Sequence, residues 1–193
     1  MSFACRSPGT GAIAVGWTRI PLLVLGACAL AVADTHGATG TAVEYFHAEL
    51  GHYFVTAYPD EARTLDDGTT IKGWTRTGYA FSVATDASGG DLPVCRFFSA
   101  AFAPKSSHFY TADPVECAGL KANPAWQYEK IAFYIAAPKG QVCLGGDVPV
   151  LRLYNDGMTG APNHRFTESQ AIYDDFVANQ HWTPEGVRFC APL

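Results

Sequence analysis

Three short segments decide the fold of this chain: His52-Tyr53-Phe54-Val55, His108-Phe109-Tyr110-Thr111 and His164-Arg165-Phe166-Thr167. Their histidines are evenly spaced, because 108 − 52 and 164 − 108 are both 56. A tryptophan follows each segment, and a phenylalanine lies seven residues after each tryptophan: Trp74 and Phe81, Trp126 and Phe133, Trp182 and Phe189. Self-similarity at a fixed spacing indicates a fold made of copies of one unit. The sequence therefore predicts three units, over about residues 42–92, 93–147 and 148–193.

Each unit is predicted to follow the order strand, loop, strand, helix, strand. The first strands are Val43-Glu44-Tyr45-Phe46, Cys95-Arg96-Phe97-Phe98 and Leu151-Arg152-Leu153-Tyr154. Because alternate residues of a strand share a face, one face of each of these strands is apolar and is predicted to face the core. Asp113-Pro114 predicts a helix start, and Gly78 and Gly186 allow a bulge in the last strand. The predicted fold class is mainly β (α+β), a pseudo-threefold assembly of three such units, with a β-trefoil as the alternative.

The first 33 residues do not share this pattern. Arg6 and Arg19 precede an apolar run, residues 20–33, that ends in Ala31-Val32-Ala33. This order is typical of a secretory signal peptide, and the run is shorter than the roughly 20 residues of a membrane-spanning helix. An alternative is a lipoprotein signal, in which Cys28 is lipidated and anchors the protein. Both readings predict a secreted or periplasmic protein with no transmembrane span and a single domain over residues 34–193.

The charge balance narrows the range of partners. Two of the 13 Lys and Arg lie within residues 1–33, so 13 − 2 = 11 cations stand against 18 Asp and Glu in the remaining 160 residues. An acidic chain without a basic stripe is a poor binder of nucleic acid, which requires concentrated Lys and Arg. A length of 160 residues is sufficient for one domain with its own core. The sequence does not indicate an oligomeric state.

Four cysteines lie after residue 33: Cys95, Cys117, Cys143 and Cys190. An even number in an exported chain predicts two disulfides. Of the three possible pairings we favour Cys95–Cys117, within the second unit, and Cys143–Cys190, which would tie the last strand to the connector before the third unit. A metal site is the alternative, but the chain contains no C-x-x-C pair. We predict neither a metal nor a cofactor.

The histidines allow three interpretations. Each ring can bind a backbone group and hold its unit together, as buried polar groups must be paired. The three can instead contribute to equivalent ligand pockets with neighbouring aromatic residues, or converge on one metal ion. We assign a structural role to His52 and to the tryptophans, Trp74, Trp126 and Trp182, whose simplest role is core packing, with an exposed stacking platform as the alternative.

One charge pattern predicts two ion pairs. Arg96 and Arg152 occur in the two units that carry Glu129 and Glu185, whereas the first unit has Glu44 and Thr77 at these places. We therefore predict the pairs Arg96–Glu129 and Arg152–Glu185.

Candidate ligand contacts lie mainly in or beside the loops between the first two strands, residues 47–51, 99–107 and 155–163, which differ most among the units. Function is often located on loops above a rigid scaffold, and solvated turns are the alternative. The candidates are Tyr53, Lys105, His108, Phe109, Asn155, Asn163, His164 and Arg165.

Several of these strings resemble a family of exported, mostly bacterial proteins known only as a domain of unknown function: Cys95-Arg96-Phe97-Phe98, Ser107-His108-Phe109-Tyr110-Thr111, Leu151-Arg152-Leu153-Tyr154-Asn155 and Asn163-His164-Arg165-Phe166-Thr167. The resemblance covers nearly all of residues 42–193. The family looks like a repeat module found alone or attached to other secreted domains, including cell-wall hydrolases. The resemblance implies a surface-binding role toward glycan and a closed, mainly antiparallel assembly, and it supplies no catalytic residues.

The predicted function is a secreted, non-enzymatic binding module for carbohydrate or a cell-wall polymer. A secreted glycoside or cell-wall hydrolase is an alternative, with Glu116, Glu129, Asp174 and Glu185 as candidate acids. A purely structural or protein-interaction module is another. The sequence lacks a nucleophile elbow, an H-E-x-x-H motif and a phosphate-binding glycine loop, so an enzyme is the less favoured reading.

Overall fold

The computed structural model describes residues 37–158 and 160–193, in which one order of elements occurs three times. The first unit contains β1 (Thr39–His47), β2 (His52–Thr56), α1 (Pro59–Asp67) and β3 (Trp74–Ala84). The second contains β4 (Leu92–Ser99), β5 (Ser107–Thr111), α2 (Pro114–Ala122) and β6 (Gln127–Ile135). The third contains β7 (Val148–Tyr154), β8 (His164–Thr167), α3 (Gln170–Asn179) and β9 (Thr183–Ala191). The predicted fold class, mainly β with three units of this order, is confirmed.

The strands form two antiparallel sheets, and the first strand of each unit lies between the other two. Units 1 and 2 share a sheet of order β2-β1-β3-β6-β4-β5, joined where Ala84 pairs with Tyr134, and unit 3 forms a sheet of order β8-β7-β9. Among the described residues, backbone pairing between units occurs near the ends of the third strands. Besides the pair Ala84–Tyr134, Ala136, just after β6, pairs with Cys190 of unit 3. The described strands therefore do not form a closed barrel and do not show the alternative, a β-trefoil; the three units close on one another through side-chain contacts.

Each third strand pairs with its first strand through an irregular register. In unit 1, Val43 lies opposite Ala80 and Tyr45 opposite Arg76, so two steps along β1 match four along β3. Gly78 has a φ of 90° in this segment, a conformation that costs glycine little. Register shifts also occur between β4 and β6 and between β7 and β9. The bulge that Gly78 and Gly186 allow is therefore present in units 1 and 3, and unit 2, which has Lys130 in place of the glycine, is also irregular.

Strand pairing corrects the interpretation of the histidines as one repeated position. Three residues of the second strands lie opposite the matching residues Glu44, Arg96 and Arg152; these are Val55, Tyr110 and Phe166. The residues two places before them are Tyr53, His108 and His164, which therefore occupy matching positions. The residues three places before them are His52, Ser107 and Asn163, so His52 matches a serine and an asparagine and not the other two histidines. The even spacing of 56 misled because backbone pairing, and not the count of residues between units, sets which face a side chain takes.

Aromatic residues from all three units meet in the main core. Phe133 contacts both Phe81 and Phe189, with ring centroids 5.8 and 6.0 Å apart. Phe166 lies 5.0 Å from Phe189 and 5.9 Å from Tyr110. All five side chains are buried, and burying each apolar ring stabilises the fold by roughly 1.5–3 kcal/mol. The phenylalanines that follow the tryptophans therefore join the units to one another.

The two predicted disulfides are confirmed. Cys95 in β4 is bonded to Cys117 in α2, and Cys143 in the connector is bonded to Cys190 in β9. The predicted signal peptide over residues 1–33 and the lipidation of Cys28 lie outside the described residues. Among the helices that are described, none has the length and apolar character needed to cross a membrane.

Candidate binding groove

The three loops between first and second strands meet around His52, which is 1% exposed. The backbones of Ser106 in the second loop and Ala161 in the third hydrogen-bond to the imidazole. Burial lowers the pKa of His52 to about 4, and the positive charge of Lys105 adds to this effect. The ring is therefore neutral at pH 7, and His52 links the loops of all three units.

Ser107 and Asn163, which match His52, also bind the backbone of another unit. The hydroxyl of Ser107 donates to the carbonyl of Pro162. The amide of Asn163 donates to the carbonyl of Tyr53 at 3.0 Å and accepts from its N–H at 2.7 Å. Together with His52, these side chains connect unit 1 to unit 2, unit 2 to unit 3 and unit 3 to unit 1.

Two more predicted ligand contacts support the loops. Asn155 is fully buried and its side-chain oxygen accepts from the N–H groups of Gly157 and Asn163. Lys105 donates to the carbonyl of Leu50 at 2.9 Å. Since these contacts hold loop backbone in place, we do not include Asn155, Asn163 or Lys105 in the candidate site.

The matching residues Tyr53, His108 and His164 each pack against an aromatic residue of the first strand. The centroid distances are 4.8 Å for Phe46–Tyr53, 5.2 Å for Phe98–His108 and 4.7 Å for Tyr154–His164. A residue of the preceding unit covers each ring from another side: Phe54 lies 4.8 Å from His108, Phe109 lies 4.7 Å from His164, and the Arg165 guanidinium carbon lies 4.3 Å from the Tyr53 ring. All three residues are thus part of interfaces between units.

Both predicted ion pairs are present, and each arginine binds a second acid. Arg96 Nε lies 2.7 Å from Glu129 and Arg152 Nε lies 2.7 Å from Glu185. The remaining guanidinium nitrogens bind a helix glutamate of the preceding unit, in the pairs Arg96–Glu61 and Arg152–Glu116, at 2.7–3.1 Å. Sequence reasoning missed these second acids because they come from another unit.

The interface between units 3 and 1 reverses this charge arrangement. Glu44 stands where the other units have Arg96 and Arg152, and it is bound at two points by Arg165 of β8, at 2.9 and 3.0 Å. Arg165 in turn stands where the other units have Phe54 and Phe109. Thr77 and Ile172 occupy the places of the acids, where glutamates would repel Glu44. Arg165 therefore closes the assembly and is not free to bind an anion.

The acids considered for hydrolysis are engaged elsewhere. Glu116 and Glu185 bind Arg152, and Glu129 binds Arg96. Burial alone would raise the pKa of Glu116, but hydrogen bonds from Arg152 and Thr111 outweigh it and hold the pKa below its usual range. A general acid needs the opposite shift. Asp174 is exposed and accepts from Gln170, so the described residues give no pair of free carboxylates among these four.

An open groove of about 560 Å³ lies between units 2 and 3. One wall comes from unit 2 and the other from unit 3. The wall residues are Phe102, Phe109, Leu120 and Trp126, facing Tyr154, Gly157, Gly160, Ala161, Pro162 and His164. We call this feature the aromatic groove. Its lining of rings and apolar side chains with few polar groups is typical of a ligand site.

The three tryptophans have different surroundings, although they match in sequence. Trp182 is 7% exposed and packs against Tyr53 and Phe176, with centroids 5.9 and 5.1 Å apart. Trp74 packs against Phe54 at 5.6 Å. Trp126 is half-buried and lines the aromatic groove beside Phe102 and Phe109. Its surface is therefore partly available to a ligand.

His164 is, with Tyr154, one of the two ionisable residues that line the aromatic groove. Its Nε2 lies 3.3 Å from Glu185, within reach of a hydrogen bond that the neutral ring can donate. Burial holds the pKa of His164 well below its usual range, and Arg152 and Arg188 add to this effect. Its Nδ1 is buried and has no hydrogen-bond partner among the described residues. The ring is therefore neutral and fixed in orientation by Glu185 and Tyr154.

The metal interpretation of the histidines is not supported by their positions. His52 occupies a different strand position from His108 and His164. Within residues 37–193, Thr159 excepted, no group of three or more His, Cys, Asp or Glu side chains could hold a metal ion.

The structure brings two of the predicted ligand contacts, Phe109 and His164, together in the aromatic groove with Trp126, for which the sequence predicts a structural role. Tyr53 and Arg165 lie at the interface between units 3 and 1, and His108 at that between units 1 and 2. Sequence reasoning missed Phe102, Leu120 and Tyr154 as lining residues. The aromatic side chain of Phe102 within a variable loop was the signal that could have found it.

A family model described as "Domain of unknown function (DUF5648)" matches residues 46–192. The match runs through all three units as one span, so it does not itself show that the family is built from repeats. No curated protein and no solved structure is significantly similar to the chain.

Proposed function

The chain belongs to the family described as a domain of unknown function, which assigns it no activity, and we propose that it is a non-enzymatic binding module for carbohydrate. The observation that carries this proposal is the aromatic groove between units 2 and 3. Cell-surface polymers rich in sugar are the ligands that suit an exported protein of this kind.

The shape and lining of the aromatic groove support a sugar ligand. Trp126, Phe102 and Tyr154 are half-buried, so part of each ring can pack against the C–H groups of a sugar ring by dispersion. Gly157 and Gly160 border the groove, and a Cβ atom built on either would meet nothing within 4 Å. These glycines therefore leave room for a ligand beside the loop backbone, whose polar groups can bind hydroxyls.

The open groove of this kind lies between units 2 and 3. In the interface between units 3 and 1, Tyr53 packs on Trp182, and in unit 1 Phe54 packs on Trp74. We therefore propose a single carbohydrate site in each chain. A chain with one weak site would gain avidity only through attachment to other modules or through association.

Export is part of the proposal. Two disulfides form readily in an oxidising compartment and are rare in the cytosol. A ligand outside the cell is consistent with this location.

The proposal is tested by screening residues 34–193 on an array of cell-wall, plant and animal glycans, followed by calorimetry with the best ligand. We expect a ligand with an affinity in the micromolar to millimolar range, typical of a shallow single site. Trp126→Ala should weaken binding at least about tenfold, since a stacked aromatic ring is a common centre of binding energy.

Tyr79→Ala provides the matched control, because Tyr79 is 49% exposed and does not line the aromatic groove. It should bind as the wild type does, and circular dichroism should show that both variants are folded. Absence of any bound glycan, or equal binding by Trp126→Ala, would contradict the proposal. Absence of glycan binding together with binding to a protein would favour the interaction-module alternative.

A further inference from the structure

A second cavity between units 2 and 3 has a volume of about 280 Å³. It is lined by the start of α2, by residues of the 137–140 segment and by β9, and it includes Arg152 and Arg188. We propose that this cavity, here called the arginine cleft, binds a carboxylate group through the guanidinium of Arg188.

Arg188 has no partner for part of its guanidinium. Its Nε is buried and, among the described residues, has no hydrogen-bond partner. A buried donor without an acceptor is costly and needs an explanation. Because this Nε is buried, a ligand carboxylate would bind the two terminal nitrogens; it leaves Nε unpaired but gives the charge on the guanidinium a counterion in direct contact.

The acids that line the arginine cleft already have partners. Both carboxylate oxygens of Glu116 accept from Arg152, at 3.0 and 3.1 Å. Asp113 caps α2 and accepts from the N–H groups of Val115 and Glu116. Arg152 is shared between Glu116 and Glu185, so Arg188 is the cation of the cleft that is not matched by an acid in direct contact.

A bulge brings Arg188 to the arginine cleft. Val187 lies opposite Leu151 and Phe189 opposite Val150, with a register shift between them, so Arg188 is the extra residue on β9. Such bulges re-aim a side chain and are frequent beside functional sites. The matching residues of the other units are Ala80 and Ala132. The scaffold therefore accepts alanine here, and the arginine is not needed to build the unit.

The matching places at the other interfaces lack this feature. Between units 1 and 2, Tyr58 takes the place of Asp113, and its hydroxyl donates to the carbonyl of Ile131. Between units 3 and 1 lies a cavity of about 240 Å³, in which Glu44 replaces Arg152 and Ala80 replaces Arg188. An arginine at this strand position therefore occurs in unit 3 and not in the other two units; at the interface between units 1 and 2 the nearby cation is Lys130, 4.6 Å from the centre of the Tyr58 ring.

The charges of the arginine cleft favour a carboxylate over a phosphate. The charge of Arg188 acts on Glu116 at a distance, but among the described residues no acid contacts its guanidinium, which can therefore bind one singly charged group. A dianion would place its second charge near Glu116 and Asp113, which line the same cavity. The volume is suited to a small group such as a free carboxylic acid or one acidic sugar residue.

The test is a titration of the isotope-labelled domain, residues 34–193, followed by NMR at constant ionic strength. Sodium acetate, sodium glucuronate, glucose and inorganic phosphate are the four probes. We expect acetate, glucuronate or both to shift the Nε–H resonance of Arg188 and the amides of residues 111–113 in a saturable way. Binding of both would indicate that a free carboxylate is sufficient, and binding of glucuronate alone would indicate an acidic sugar.

Arg188→Ala supplies the control, since alanine is found at both matching positions. It should keep the fold and weaken binding at least about tenfold, the usual effect of losing a charge-assisted hydrogen-bonded pair. Trp126→Ala should leave this binding unchanged, so failure of the carbohydrate proposal and failure of this one are separable. Saturable shifts with glucose equal to those with glucuronate, tighter binding of phosphate than of acetate, retained binding by Arg188→Ala, or no saturable shift would each overturn the inference.

Discussion

His52, Ser107 and Asn163 occupy one strand position in three units and perform the same task with different chemistry. Each connects its unit to the backbone of another one, through an imidazole, a hydroxyl or an amide. Backbone groups accept and donate to any of these side chains, so the contact is kept while the residue type changes. This is why the position is not recognisable as a repeat in the sequence.

His52 makes the stability of the protein depend on pH. Its pKa is about 4 in the folded state and about 6.5 in an unfolded chain. Below pH 6.5 the unfolded state takes up a proton that the folded state does not, so stability falls as the pH drops from about 6.5 to about 4. At pH 5 we expect a loss of about 2 kcal/mol from this group.

The measurement is urea unfolding of the wild type and His52→Asn at pH 7.5 and pH 5.0. Asparagine stands at the matching position 163 and does not titrate, so the variant should lose about 2 kcal/mol less than the wild type between the two pH values. His108 and His164 contribute to both proteins and cancel in this comparison. An identical loss in both proteins would contradict the assignment.

The three helices begin in the same way but are capped differently. Thr56, Thr111 and Thr167 each accept a hydrogen bond from the N–H two residues later, at the helix start. Asp113 and Ser169 then cap α2 and α3 with their side chains, whereas Tyr58 makes no such bond at α1. Tyr58 instead reaches unit 2, so at α1 an interface contact replaces a cap.

Removal of the Asp113 side chain tests whether the cap stabilises helix α2. Asp113→Ala removes the acceptor for two helix N–H groups and should lower the free energy of unfolding by about 1 kcal/mol. Val115→Ala, at a residue that is 78% exposed, is the matched control and should have a much smaller effect. Chemical denaturation of both variants measures the difference; equal stabilities would show that the cap contributes nothing.

The whole molecule is closed by the interface between units 3 and 1, where the charges are reversed. Glu44 and Arg165 are 2% and 5% exposed, so their bidentate pair is buried. Removing one partner of a buried pair is strongly destabilising because the other charge is left unpaired. The reversal involves four positions at once, 44, 77, 165 and 172, so these residues act as one set.

Exchanging the charges at positions 44, 77, 165 and 172 is predicted to change the free energy of unfolding of the whole domain. Glu44→Arg alone places two guanidinium groups together and should cost about 3–5 kcal/mol. Combining it with Arg165→Phe, Ile172→Glu and Thr77→Glu copies the arrangement of the other two interfaces and should restore most of the lost stability. Glu49→Arg, at an exposed loop residue, controls for a change of net charge.

Thermal and urea unfolding of these variants decide the point. The single variant should be much less stable than the fourfold variant, although the latter carries more substitutions. A fourfold variant that is less stable than Glu44→Arg would show that the interfaces are not interchangeable.

Features confined to one unit could be predicted well from the sequence. Alternation and helix-start residues determine the local order of strands and helix, and comparison of the units within the chain predicted the pairs Arg96–Glu129 and Arg152–Glu185. The favoured pairing of Cys95 with Cys117 also lies within one unit. Such contacts follow from short-range geometry that repeats along the chain.

Contacts between units were decided only by the tertiary structure. The sequence by itself determined three units and their internal order, but it placed His52 in register with His108 and His164, and it treated Trp74, Trp126 and Trp182 alike. Which residues of the three units match is decided by how their strands pair. The exposure of Trp126 is decided by which side chains of the next unit reach it. The spacing of residues within a unit determines neither property. The aromatic groove could not be predicted from that spacing because side chains of both unit 2 and unit 3 line it.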